Sequence, residues 1–287
     1  MTQTLTSRDL ARGSEELSAL FATAGALVLT GAGISTGSGI PDYRGPNGTH
    51  RGDKPITLPA FLGCYDTQRT YWARSHIGWE RFRAAKPNAA HYALTRLQQA
   101  GLIHQVVTQN VDGLHAAAGT TGSVELHGRL DTVICVACRS VTGRDVFAAR
   151  LRAANPSFHA EVDARTSMLR PDGDIMLDAK DAALFHVVGC ETCGGVVKPN
   201  VVMFGEHIPG NRFKQALTNL EAASALIVLG SSLAVGSGYR FVLDAKRRGL
   251  PIAIVARGHT RGDGHANIKV DADLCVLLPQ IATASTG

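Results

Sequence analysis

Two cysteine pairs, Cys135-Val136-Ala137-Cys138 and Cys190-Glu191-Thr192-Cys193, constrain this chain more than any other feature. Two intervening residues let both sulfurs of a pair bind one ion while the backbone N–H groups of the turn face them. Two such pairs supply four thiolates, the ligand set of a tetrahedral Zn²⁺, and read as a metal site ahead of redox pairs or buried thiols. Four sulfurs fill the coordination sphere and leave no position for water, so the expected ion is structural. The pairs enclose residues 139–189, a longer gap than a simple zinc ribbon, with Pro156, Pro171 and the turn Asp172-Gly173-Asp174 inside it. Cys64 and Cys275 stand alone.

Residues 133–197 interrupt an alternation of short apolar runs with helical periods. Ser14 reads as the cap of a helix through Leu17, Leu20 and Phe21 that stops at Gly25. Asn88 caps another, with Ala90, Ala93, Leu94 and Leu97 on one face and Gly101 as its stop. Residues 56–86 carry Phe61, Tyr65, Tyr71, Trp72, Trp79 and Phe82 at helical spacing, a small helical module. Helices around Phe213–Leu220 and through Tyr239–Leu243, which ends at Gly249, flank the strand Ala225–Leu229. Ile252–Val255 and Leu274–Leu277 read as the last strands. With 45% hydrophobic and 18% charged residues among 287, the composition supports a sizeable core and argues against a disordered chain. The net charge of +5 is scattered without a dense run, a mildly basic surface rather than a nucleic-acid stripe. No apolar run reaches the roughly 18 residues that span a bilayer. The longest candidate, Ala222–Val235, is cut by Gly230-Ser231-Ser232. Residues 1–20 lack the pattern of a signal or transit peptide, so a soluble cytoplasmic protein is expected.

The apolar run Ala26–Thr30 leads into Gly31-Ala32-Gly33-Ile34-Ser35-Thr36-Gly37. Strand, tight glycine turn and helix start present backbone N–H groups to a pyrophosphate. Position 36 is threonine where the third glycine of the dinucleotide fingerprint belongs, and no acid follows at a second strand end, so this is no ordinary dehydrogenase. The loop Gly39-Ile40-Pro41-Asp42-Tyr43-Arg44-Gly45 reads as a lid over a phosphate-bearing ligand ahead of a plain surface loop. Val106-Val107 delivers Gln109, Asn110, Val111 and Asp112 to a strand's carboxyl end, where parallel sheets bind ligands. Val124–Leu126 delivers His127 to the same rim. Asp112 suits either a ligand contact or a turn cap before Gly113. His127 suits either proton transfer near neutral pH or a core histidine bonded to a carbonyl, and the adjacent polar cluster favours the first.

Gly31-Ala32-Gly33-Ile34-Ser35, Gly39–Arg44, Thr108-Gln109-Asn110-Val111-Asp112-Gly113-Leu114-His115, His127-Gly128, the four cysteines, Lys198–Glu206 and Gly230-Ser231-Ser232-Leu233 resemble the sirtuins in order and spacing. The resemblance runs from about residue 14 to 280. It implies a Rossmann-like parallel-sheet domain (1–55, 88–132 and 198–287) with a smaller domain inserted, the helical module (56–87) plus the zinc module (133–197). Tyr71-Trp72-Ala73-Arg74, the insert between the cysteine pairs and Ser237-Gly238-Tyr239-Arg240-Phe241 are similar to the class II branch, which includes a mitochondrial sirtuin with lipoamidase, deacylase and ADP-ribosyltransferase activities. A bacterial cytoplasmic relative of that branch is implied.

By this resemblance the protein consumes NAD to remove acyl groups from protein lysines, an acyl transfer to ADP-ribose (EC 2.3.1) that releases nicotinamide. His127 is implied as general base, with Asn110 and Asp112 as its catalytic companions. Gly31 to Arg44, Gln109 to Asp112 and Gly230-Ser231-Ser232 are implied to hold NAD, together with Ala256, Arg257, Gly258 and Leu274. Val202, Met203, Phe204 and Gly205 are implied to pair with the substrate as an added strand. Tyr71 and Arg74, which share a helix face, suit either an acyl carboxylate, as in related desuccinylases, or a packing aromatic beside a solvated arginine, and the residue types favour the second. Two positions depart from the family pattern. Ala256 stands where an asparagine usually meets the adenosine ribose, which passes that contact to Arg257 or backbone. Gly236-Ser237-Gly238 replaces a common proline, which implies a looser substrate groove. The rival readings are a protein mono-ADP-ribosyltransferase and an NAD- or ADP-ribose-sensing binding protein. The sequence carries no signal for oligomeric state.

Overall fold

Short apolar runs without polar alternation are buried on both faces only when helices cover a parallel sheet. The computed structural model, which describes residues 7–43, 55–158, 169–177 and 179–286, has that arrangement. Its strands are β1 (Ala26–Thr30), β2 (Ile103–Thr108), β3 (Val124–Glu125), β4 (Gly128–Cys135), β5 (Val141–Gly143), β6 (Val197–Val201), β7 (Leu226–Leu229), β8 (Ile252–Val255) and β9 (Ile268–Val270). Its helices are α1 (Ser7–Ala22), α2 (Leu58–Gly63), α3 (Tyr65–Ala84), α4 (Ala89–Gln99), α5 (Leu114–Ala117), α6 (Arg144–Ala154), α7 (Ala179–Ala182), α8 (Gly210–Glu221), α9 (Gly236–Arg247) and α10 (Leu274–Thr286). Arg44 and Gly45 of the predicted lid lie outside the described residues.

Six strands form one parallel sheet in the order β3-β2-β1-β7-β8-β9. Chain direction across the sheet reverses between β1 and β7, the switch point at which open α/β sheets bind ligands. One face packs Leu17, Phe21, Leu94 and Ile281 from α1, α4 and α10 against Val28 and Ile227. The other packs Leu220, Phe241 and Val242 from α8 and α9 against Leu29, Val228 and Ile254. The fold class is the expected one: a Rossmann-like parallel sheet with a second, smaller module.

That module is a three-stranded antiparallel sheet, β5-β4-β6, backed by the aromatic residues at helical spacing. Phe61, Tyr71, Trp72 and Phe147 share a core with Val133, Cys135 and Val197. The Trp72 indole N–H donates to Val197 O at 3.2 Å. The buried Arg144 guanidinium lies over Trp72 and Trp79, 5.2 and 5.0 Å from their ring centroids, and donates to Ser75. Burial between two indoles lowers its pKa to about 10. β4 starts at the residue after His127, so both sheets meet at that side chain.

Three local expectations are corrected. Ser14 does not cap the first helix: α1 begins at Ser7, and the Ser14 carbonyl accepts from Ser18 Oγ inside it. The glycine turn after β1 opens no α-helix but two 3₁₀ turns, Ala32–Ile34 and Thr36–Ser38. Leu274–Leu277 is no strand but the first turn of α10, capped by Asp273, whose Oδ1 accepts from the Cys275 amide at 2.8 Å. Asn88 caps α4 as expected, and His91 supplies the reciprocal half of a capping box by accepting from the Asn88 amide.

Candidate active site

At the switch point the loops after β1 and β7 come together because both are built on glycine. A Cβ on Gly33 would lie 2.8 Å from Gly230 Cα, and one on Gly31 would lie 2.7 Å from Ser231 Cβ. The loop after β2 closes onto them. Asn110 Nδ2 donates to Gly31 O at 3.2 Å and to Ser35 Oγ at 3.0 Å, and Ser35 Oγ donates to Asp112 Oδ2 at 2.7 Å. Asp112 Oδ1 accepts from the Leu114 amide, the turn-cap role, while Asp112 also lines the cavity. Gln109 Nε2 reaches Ser231 Oγ at 2.8 Å. Ser35 is fully buried and ties the glycine turn to the Asn110-Asp112 segment.

These loops line a cavity of about 1710 Å³. Of the residues expected at NAD, Gly31, Ala32, Gly33, Ser35, Gly39, Ile40, Pro41, Asp42, Tyr43, Gln109, Asn110, Val111, Asp112, Gly230, Ser231, Ser232, Ala256, Arg257 and Leu274 line it. Ile34 instead packs into the core, and the Gly258 amide donates to Asp271. Arg257 pairs with Asp273 at 2.7 Å. Arg44 lies outside the described residues.

His127 lines the same cavity, half-buried. Its Nδ1 sits 2.8 Å from Gln109 O and its Nε2 sits 3.0 Å from Ser237 Oγ. Burial lowers its pKa, the Gln109 hydrogen bond works the other way, and Arg212 adds to the depression. The ring is therefore neutral near pH 7, the form that accepts a proton.

The expected substrate segment lies alongside. The Val202 amide donates to His127 O at 2.8 Å, and Leu58 N donates to Phe204 O at 2.8 Å. Buried Lys198 donates to Val201 O and to Glu206 Oε2, and Glu206 accepts from the Met203 amide, which fixes the turn. Val202, Met203, Phe204, Gly205 and Tyr71 all line the cavity. Tyr43 meets Phe204 edge-on at 6.3 Å between centroids, linking the predicted lid to this segment. Arg74 is not among the lining residues; it donates to Leu177 O at 3.4 Å, and its charge acts on Asp174, which lines the cavity.

Among the lining residues that sequence reasoning missed, two polar groups stand next to the predicted site residues. Ser237 enters the sequence reading only within the stretch similar to class II and as a departure from a proline. Asp172 and Asp174 were read only as a turn, yet both line the cavity with Tyr43 and Tyr71. Arg170 lies 3.1 Å from Asp174 and 3.9 Å from Asp172. Burial and the Asp172 carboxylate push the Asp174 carboxyl up to about 8, against the pull of Arg170. No local pattern marks these acids, because only the fold carries them to a cavity built from other elements.

The four predicted cysteines converge at the tip of the small sheet, their sulfurs all within 4.8 Å of one another. Sulfurs at about 2.3 Å from a tetrahedral ion lie about 3.8 Å apart; Cys135–Cys193 and Cys138–Cys190 are separated by 3.5 and 3.6 Å. Each pair forms a turn with a left-handed residue four positions after its first cysteine, Arg139 at φ 65° and Gly194 at φ 71°. A Cβ on Gly195 would press within 3.2 Å of Cys193 Sγ and 3.3 Å of Cys135 Sγ. The donor set and the space around it fit a structural Zn²⁺.

Known proteins match this architecture along its length. A profile described as the Sir2 family covers residues 31–237. The "NAD-dependent protein deacetylase" of Xanthomonas axonopodis pv. citri (strain 306) is 49% identical over 244 residues, 85% of this chain and 82% of that protein. The "NAD-dependent protein deacetylase 1" of Streptomyces coelicolor is 47% identical over 258 residues, 90% of this chain and 85% of that protein. A solved structure described as "Sir2-p53 peptide-NAD+" superposes with a TM-score of 0.74 at 30% identity, covering 95% of this chain and 98% of that one. Motif order, sheet topology, the cavity at the switch point and the cysteine cluster agree with these matches: the chain belongs to the Sir2 family.

Proposed function

We propose that the protein is an NAD-dependent protein-lysine deacylase that moves the acyl group to ADP-ribose and releases nicotinamide. The observation that carries this reading is the placement of His127 with Asn110, Asp112 and the 202–205 segment around one cavity. The names of the matched relatives support the same activity. The large sheet (1–55, 88–132, 198–287) serves as the NAD-binding domain, and residues 56–87 and 133–197 form the second. We assign NAD to the switch-point loops, with Asp112 on the carboxamide, and the acyl-lysine peptide to Val202–Gly205 as an added strand. Departure of nicotinamide leaves positive charge on the sugar, as in glycoside cleavage. Asn110 and Asp112 hold the reacting carbon against the acyl oxygen, and the 39–45 loop excludes water. The acyl oxygen bonds to that carbon as nicotinamide leaves. His127 Nε2 then takes the proton of a ribose hydroxyl as its oxygen attacks the acyl carbon, and the carbon–nitrogen bond breaks to free the lysine amine, which takes up the proton. Zn²⁺, bound by Cys135, Cys138, Cys190 and Cys193, holds the small sheet and takes no part in the chemistry.

The branch similar to class II is supported by Tyr71-Trp72-Ala73-Arg74 and the insert between the cysteine pairs, with Tyr71 on the cavity wall. Thiols kept for a metal fit a reducing, cytoplasmic setting. Among the described residues no helix is long and apolar enough to cross a membrane. Mass spectrometry of acetyl-lysine peptides with and without NAD tests the reading, together with labelled NAD. Free lysine and acyl-ADP-ribose are expected only with NAD. Label fixed on protein would establish mono-ADP-ribosyl transfer instead, and NAD binding without turnover a sensor.

A further inference from the structure

His127 is gripped from two sides by groups of different character. A carbonyl oxygen only accepts, so the 2.8 Å contact with Gln109 O puts a proton on Nδ1. In the neutral ring Nε2 then carries the lone pair, and the Ser237 hydroxyl 3.0 Å away must donate to it. Ser237 stands in the first turn of α9, half-buried and on the cavity wall. The next residue, Gly238, lies against the Gln109 side chain so closely that a Cβ there would sit 2.4 Å from Gln109 Oε1. The two groups that fix the ring thus belong to elements braced on each other.

We propose that Ser237 is a positioning residue for the reaction: its hydroxyl holds His127 as the Nδ1–H tautomer with Nε2 on the cavity side, then yields that nitrogen to the ribose hydroxyl of NAD. In the step it prepares, the ribose O–H bond breaks and its proton passes to Nε2. The oxygen's electron pair forms the new bond to the acyl carbon, by then O-linked to the sugar, as the carbon–nitrogen π bond of the amide breaks and its pair returns to the lysine nitrogen. The Nδ1–H bond to Gln109 O persists throughout, and Ser237 keeps its own proton. The incoming hydroxyl replaces one donor by another without turning the ring, so no reorientation is needed at the moment of reaction. Departure of nicotinamide requires no proton on His127 and is indifferent to Ser237. The kinetic consequence rests on the deacylase reading; the tautomer does not.

Two measurements on the full-length protein separate the proposal from that reading. In the first, histidine rings are labelled with ¹⁵N and the His127 signals are assigned by their loss in His127→Gln. The expected wild-type spectrum has a protonated Nδ1 and a bare, hydrogen-bonded Nε2, and Ser237→Ala shifts Nε2. A proton on Nε2 in the wild type, or an unchanged spectrum in Ser237→Ala, overturns the proposal whether or not the protein turns over. The second compares nicotinamide exchange with acyl transfer. For Ser237→Ala, kcat of acyl transfer is expected to fall about 10-fold, equivalent to about 1.4 kcal/mol and the scale of one hydrogen bond. Nicotinamide exchange and KM for NAD are expected to hold, and Ser237→Thr to restore acyl transfer. Equal losses in both reactions, no loss in either, or threonine behaving like alanine also overturns it. A wild type with the expected spectrum but neither reaction contradicts the deacylase reading alone.

Discussion

At the scale of single residues, Asn110, Asp112 and His127 line one cavity. Asn110 and Asp112 follow a strand directly, and His127 follows the next one, so strand ends alone predict a shared rim. What local pattern does not reveal is which partner each side chain meets. Ser35 was expected at the cofactor, but its bond to Asp112 spans two loops. Ser237 meets His127 across 110 positions. His115 is buried behind the Asn110-Asp112 segment: its Nε2 lies 2.9 Å from the Thr30 hydroxyl, and its ring packs 5.0 Å from that of His91. This pair leads to a pH prediction. Burial, reinforced by the His91 charge, lowers the His115 pKa to about 3, and burial lowers His91 to about 4, partly offset by Asp112. Both folded values lie below the unfolded one of about 6.5, so the native state favours the neutral rings. Their contribution is intact above about pH 6.5 and is lost as pH falls toward 4, at roughly 1.4 kcal/mol per unit for each group. Urea midpoints measured from pH 7 to 4 are expected to fall steeply in the wild type and less steeply in His115→Gln. Parallel curves would contradict this account of the pair.

At the scale of elements, the buried parallel strands were legible because uninterrupted Leu, Val and Ile runs have few other places to go. The failures have physical causes. Leu274–Leu277 is equally apolar as a strand or as a buried helix turn, and the deciding signal was Asp273, a cap two residues before Cys275. β9 passed unnoticed because Ile268-Lys269-Val270 is short and gets its place from pairing with β8. The cysteine turns were read correctly because a metal site imposes its own spacing. Stripping the metal with a chelator is expected to remove hydrogen-exchange protection from β4, β5 and β6 while β1, β2, β7 and β8 keep theirs. Their core is separate, and only the small sheet is tied to the four thiolates. Equal loss in both sheets would show that the ion supports the whole chain.

At the scale of the whole molecule, the site exists because the two sheets meet at His127 and the switch point lies beside that junction. Cavity contents were beyond sequence reasoning, and acyl choice turns on them. Tyr71 lines the cavity beside Asp172 and Asp174, which hold Arg170, while Arg74 donates to Leu177 O. Arg170 is already held by Asp174 and Asp172, so a dicarboxylic acyl chain gains no cation from it, and acetyl and other uncharged acyl peptides are expected to outpace glutaryl and hydroxymethylglutaryl ones. A panel of those peptides with the lipoyl one, repeated in Arg74→Ala, checks this. An unchanged ranking in the variant removes Arg74 from selectivity, whereas a wild-type preference for the dicarboxylates, lost in the variant, would overturn the role given to the acids.

The claim on which the rest depends is that a neutral imidazole at position 127 completes the transfer of the acyl group to a sugar hydroxyl in this cavity. Its most direct measurement is the product balance of wild type against His127→Ala, with folding and zinc content checked in both. The account predicts nicotinamide, free lysine and acyl-ADP-ribose in equal amounts from the wild type. It predicts acyl-ADP-ribose reduced at least about 100-fold in a folded, zinc-loaded variant. Acyl-ADP-ribose formed at the wild-type rate by that variant would contradict it.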